Sequence, residues 1–191
     1  MRSHAEMTIK VKTAATPVYF QLIFDIFEMK TKGNFYSRRN DLETILISMT
    51  KLTPKGLQYE AKVLVAWGEC IDGNQKITEW FMKNGFPELA LFRYALRNED
   101  RSRDWLLANG FPHLMALING IEGNKNALTW LKTNNFNLLH LMAMAGDGDE
   151  DAFQKLMTPE TKVFALLAKK MEHIKDEIEM DNNDIHKISS T

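Results

Sequence analysis

Three tryptophans at one fixed interval limit what this chain can become. The stretches Trp80-Phe81-Met82-Lys83-Asn84-Gly85-Phe86-Pro87, Trp105-Leu106-Leu107-Ala108-Asn109-Gly110-Phe111-Pro112 and Trp130-Leu131-Lys132-Thr133-Asn134-Asn135-Phe136-Asn137 are copies set 25 residues apart. The same register returns Leu89, Leu114 and Leu139, then Phe92, Leu117 and Met142, then a small residue at Ala95, Gly120 and Ala145. Self-similarity at this period is the mark of stacked helical units, none of which can bury its apolar face alone.

Each copy reads as a pair of short helices. Ala127, Trp130 and Leu131 fall at i, i+3 and i+4, so they share one stripe, with the indoles expected to cap the seam between layers. Asn-Gly or Asn-Asn then supplies residue types that tolerate the left-handed conformation at a helix C-terminus. Pro87 and Pro112 follow, suited to the first turn of the next helix. Asn98, Gly123 and Gly148 close the second helix, and Asn124 and Asp149 are candidate N-caps for the next unit. The small residue at Ala95, Gly120 and Ala145 lets a neighbouring backbone come close.

The fold expected is all-α: a superhelix of short helix pairs, an N-terminal helical segment and a long C-terminal capping helix. Residues 1–16 read as a flexible lead and 17–58 as the helical segment, opened by Thr16-Pro17 and again by the capping-box-like Asn40-Asp41-Leu42-Glu43. Thr53-Pro54 repeats the signal for a helix running to Ile71, which already belongs to an array over 59–157. Thr158-Pro159-Glu160 caps a helix over 158–180 with the stripe Phe164, Leu167, Met171, Ile174, Ile178, and 181–191 reads as a disordered tail. That stripe either closes the stack or pairs with a second copy, so a homodimer through residues 159–180 stands as the alternative to capping.

With 191 residues and 45% apolar side chains, the chain can bury a core, and its net charge of −1 exerts no overall pull on nucleic acid or membrane. The single Cys70 shares the register of Ala95, Gly120 and Ala145, which points to burial; one cysteine also fits a reducing, cytoplasmic setting. No secretory leader or membrane span is expected, since Gln21 and Asp25 interrupt the apolar run from Val18 to Phe27.

Leu138-Leu139-His140-Leu141-Met142-Ala143-Met144-Ala145-Gly146, followed by Ala152 to Leu156, resembles the two helices of an ankyrin repeat. Trp105 to Gly110 is similar to the end of an ankyrin second helix. The resemblance covers Leu64 to Met157 and departs from the family in its shorter period, which leaves no room for the β-turn finger, and in lacking the Thr-Pro-Leu-His opening. It implies a right-handed stack of helix pairs that binds proteins.

No motif for chemistry stands out. His4, His113, His140, His173 and His186 have no metal-ligand spacing, and Asp147, Asp149 and Asp151 start like a calcium loop but meet Ala152 and Thr158 where glycine and glutamate belong. No metal or cofactor is expected, and an enzyme ranks third among the readings. A nucleic-acid face built on Arg93, Arg97, Arg101 and Arg103, with Arg38-Arg39 beside Phe35-Tyr36 as a second group, is the runner-up; interleaved Glu99, Asp100 and Asp104 favour local ion pairs instead. The leading expectation is a non-enzymatic scaffold for an unidentified protein partner. Positions that change between copies are free for other work, and they cluster on the second helices, where Arg93, Tyr94, His113, Met115, Asn119 and His140 are the candidate partner-binding residues.

Overall fold

The computed structural model describes residues 55–183, and every regular element among them is a helix. They are α1 (Ala61–Ile71), α2 (Gln75–Lys83), α3 (Pro87–Leu96), α4 (Asp100–Ala108), α5 (Pro112–Ile121), α6 (Lys125–Thr133), α7 (Asn137–Gly146), α8 (Glu150–Leu156) and α9 (Lys162–Asn183). First-type helices start at Gln75, Asp100, Lys125 and Glu150, and second-type helices at Pro87, Pro112 and Asn137. The expectations for Thr16-Pro17, Asn40 to Glu43, Arg38-Arg39 and the tail beyond Asn183 lie outside the described residues. None of the described helices is long and apolar enough to cross a membrane.

The joints explain how such short helices turn so tightly. Phe86, Phe111 and Phe136 each donate their backbone N–H to the carbonyl five residues back, on Phe81, Leu106 and Leu131, at 3.1, 2.9 and 2.8 Å. This is the Schellman closure, and the residue between must be left-handed: Gly85, Gly110 and Asn135 have φ of 85°, 86° and 61°. The same phenylalanine is then the N-cap residue of the second helix. Between units the closure recurs at Asn74, Glu99, Asn124 and Asp149, which occupy the N-cap positions of the first helices. Asn124 accepts from the N–H groups of Asn126 and Ala127 at 3.0 and 3.1 Å, and Asp149 from Ala152 at 2.9 Å. Glu99 makes no such cap; its carboxylate instead accepts from the Ser102 hydroxyl at 2.6 Å.

The tryptophans do not cap a buried seam. The next residue does: Phe81, Leu106 and Leu131 are fully buried, Trp80 and Trp105 only partly, and Trp130 is 37% exposed. All three indoles nevertheless share one environment, stacked on the phenylalanine six residues ahead at 5.8, 6.0 and 5.6 Å. The buried line is Ile77–Phe81, Ser102–Leu106, Ala127–Leu131 and Ala152–Leu156, a spacing of four. A residue one step earlier lands at the stripe's margin, where the indole folds over the turn onto the aromatic beyond it.

Units pack through the second-type helices, α1 on α3, α3 on α5 and α5 on α7, and each first-type helix packs mainly on its chain neighbours. The expected close approach is real at Gly120, where an added Cβ would stand 2.8 Å from that of Ala143. Gly146 is equally tight, at 2.9 Å from Ile121.

Two boundaries differ from expectation. Residues 55–60 precede α1 rather than belonging to it, because Gly56 at φ +86° cannot sit in a helix, and Ala61 begins the helix. α9 starts at Lys162, after a turn in which the Thr161 hydroxyl donates to the Leu156 carbonyl at 2.7 Å, and continues three residues past 180, to Asn183. Its stripe of Phe164, Leu167, Met171 and Ile174 is buried, and the helix packs on α7, α8 and α1 and touches α3 and α5. Within the chain this stripe covers the second-type row, leaving Leu166 and Met180 as the exposed large apolar residues of α9.

Candidate interaction surfaces

α9 changes the standing of the second-helix face. Of its six candidate residues, Met115 is buried, at 5% exposed. Arg93 is half-buried, its guanidinium 5.2 Å from the Tyr94 ring centre, and its Nε has no hydrogen-bond partner among the described residues. The His140 ring Nδ1 lies 3.1 Å from the Leu128 carbonyl. Asn119 is half-buried on α5. His113 lies at the other end of its helix, stacked on Phe136 at 5.3 Å with the rings 8° from parallel. Arg93 and Tyr94 are thus brought together, while His113 belongs to a different surface, the edge formed by the N-terminal ends of the second-type helices.

Of the arginine group, Arg97 and Arg103 are engaged over longer distances than local pairing would give. Arg97 pairs with Glu177 of α9 at 2.9 Å, and Arg103 pairs with Glu122, the C-cap residue of α5 in its own unit, while donating to the Ala95 carbonyl of the preceding unit at 2.9 Å. The interleaved Glu99, Asp100 and Asp104 supply neither partner. Spacing along one helix cannot reveal a carboxylate delivered by another layer.

Cys70 is buried and within 3.4 Å of the Thr78 hydroxyl. Burial pushes its thiol up, opposed by that hydrogen bond and by the charge of Arg93. A thiol held in the neutral form is a poor nucleophile.

Residues 55–60 form a strap along the N-terminal edge, which nothing in the repeat pattern announces. The Lys55 ammonium donates to the Asn134 carbonyl at 2.7 Å and stands 4.5 Å from the Phe136 ring centre. Gly56 lies so close to His113 and Phe136 that a Cβ would meet both rings at 3.0 Å. Leu57 is fully buried. The Tyr59 hydroxyl donates to the Glu88 carboxylate at 2.9 Å, and its ring meets that of Phe86 edge-on at 6.1 Å. Glu88 is only 6% exposed. Burial raises its carboxyl above the ordinary range, offset by its own backbone N–H and by Tyr59. Tyr59 is raised as well, by burial and then by the Glu88 charge. Burial lowers His113, against a hydrogen bond with the Gly56 backbone. The alternation of Leu57 and Tyr59 after Pro54-Lys55-Gly56 was the available signal for an extended strap rather than a helix.

The first-type helices present the open side. Met82, Leu107 and Met157 are 49%, 55% and 40% exposed and occupy one register position, with Lys132 in the remaining copy. Trp130, 37% exposed, adds a fourth large apolar side chain left uncovered among the described first-type helices. Among the described residues, no group of three or more His, Cys, Asp or Glu side chains is placed to hold a metal ion.

The described residues thus form an all-α array of helix pairs closed on one side by its own long helix. No protein-family model, curated protein or solved structure matches it.

Proposed function

We propose that this protein is a non-enzymatic scaffold that binds another protein along the outer row of first-type helices. The observation that carries the reading is the recurrence of large exposed apolar side chains, Met82, Leu107 and Met157, at one position of successive units. Contiguous exposed apolar surface rimmed by polar residues marks an interaction site more often than chance exposure does. A repeated array delivers such side chains as a ladder, each on a rigid helix, which suits recognition of an extended or helical partner surface. The second-type row, with Arg93, Tyr94, Met115, Asn119 and His140, supports this surface from beneath. A cytoplasmic setting fits the single buried Cys70.

The test is affinity capture from the native cell with the intact chain and with a Met82→Lys, Leu107→Lys double variant. A protein retained by the first and lost by the second, with unchanged circular dichroism, supports the scaffold reading. Identical captured sets, or none with either chain, remove it.

A further inference from the structure

The strap contacts equivalent positions of successive units. Lys55 and Gly56 meet Phe136, Gly56 also meets His113, and Tyr59 meets Phe86 and Glu88. Phe86 and Phe136 hold the same register with Phe111 between them, and Glu88 and His113 hold another that continues at Leu138. Lys55 and Gly56 form a turn, and residues 57–60 run on from it; four extended residues span roughly 13 Å, and with the reach of the Lys55 and Tyr59 side chains this covers the two steps between packed helices, about 16 to 20 Å. The strap therefore advances along the edge at the pitch of the array, opposite to the order of the units, with a different chemical contact at each step. At the α7 end the face of Phe136 and a backbone carbonyl take a cation. At α5 the histidine face takes a residue without a side chain. Leu57 enters the core, and at α3 a buried carboxylate takes a hydroxyl.

We propose that this edge is a peptide-binding track with residues 55–60 as its resident occupant, and that a partner segment of the same chemistry displaces them: an extended stretch carrying a cation, a glycine, an aliphatic side chain and a tyrosine in the spacing Lys-Gly-Leu-x-Tyr. The inference rests on the protein-binding reading but uses a different surface, the helix N-termini rather than the outer row. Covalent attachment gives the strap a high effective concentration, so an outside peptide succeeds only where the strap is weakened or the partner holds a second point.

A fluorescent peptide of residues 53–60 is titrated against the full-length chain by anisotropy. A full-length Leu57→Ala, Tyr59→Phe variant, whose strap lacks its buried side chain and its hydroxyl, binds the peptide at least about tenfold more tightly than the unaltered chain, because tethered competition is reduced. A peptide carrying Leu57→Asp fails to bind. Equal binding to both chains, equal binding by both peptides, or no binding to the folded variant overturns the proposal. Should the double variant unfold, full-length Tyr59→Phe, which loses only one oxygen, is titrated against the same criteria. Met82→Lys, Leu107→Lys leaves peptide binding unchanged, so loss of partner capture by that variant and failure of the track are separately visible.

Discussion

The two rows of helices are built from the same repeat and meet opposite fates. The second-type row of α1, α3, α5 and α7 is sealed twice, by α9 across its body and by the strap across its N-terminal edge. Among the described residues, the first-type row of α2, α4, α6 and α8 has no comparable cover, and Met82, Leu107 and Met157 are exposed. Repetition settles which side of each helix faces its neighbours. Which face stays exposed depends on segments that do not repeat.

That contrast predicts an order of effects. Met171 is fully buried on the inner stripe of α9, and Met171→Ala is expected to cost about 2 to 5 kcal/mol in chemical denaturation, against about 0.5 kcal/mol or less for Leu107→Ala on the open row. Equal losses at the two sites would break the distinction between sealed and open rows. Gly120→Ala pushes a methyl to 2.8 Å from the Ala143 Cβ. Overpacking there is expected to destabilise by about 1 to 3 kcal/mol, partly offset by the better helix propensity of alanine. A stabilised variant would show that α5 and α7 have room to separate.

Glu88→Gln tests the strap's anchor through pH. Because the folded carboxyl is raised above its ordinary value of 4.5, the stability linked to its proton is fully present below 4.5 and lost as pH rises through the folded value. Glutamine keeps an acceptor for Tyr59 and carries no charge to bury. The variant's thermal midpoint should therefore gain on the unaltered chain as pH rises from below 4.5, with the gain levelling off once pH has passed the folded value; a gain that shrinks over this range would mean that the ionised carboxylate stabilises the strap. The smallest effect belongs to Arg97→Ala. Its pair with Glu177 is 41% and 44% exposed, and such pairs contribute up to about 1 kcal/mol. A larger loss at moderate salt would assign α9 a stronger electrostatic hold than its apolar stripe implies.

Much of the local structure was legible. Asn-Gly joints, proline at the first helical position and the caps at Asn124 and Asp149 act through residues within a few positions of one another, so spacing alone carries the signal. Burial of Cys70 followed from its register. The tryptophan assignment shows where such reasoning stops: a stripe places Trp130 and Leu131 side by side, and only packing shows that the leucine enters the core while the indole leans on Phe136. The six candidate binding residues were chosen by variability between copies, which marks freedom from the repeat, and at His113 that freedom serves the strap.

The sequence by itself determined the succession of short helices, their joints and the side each turns inward, because these depend on backbone conformation and on apolar spacing along one element. Tertiary structure alone decided that α9 lies over the second-type row, that residues 55–60 run along its edge, and that Arg97, Arg103 and Glu88 find partners 80, 19 and 29 residues away. Contacts at such separations arise when surfaces meet in space, and no local period records them.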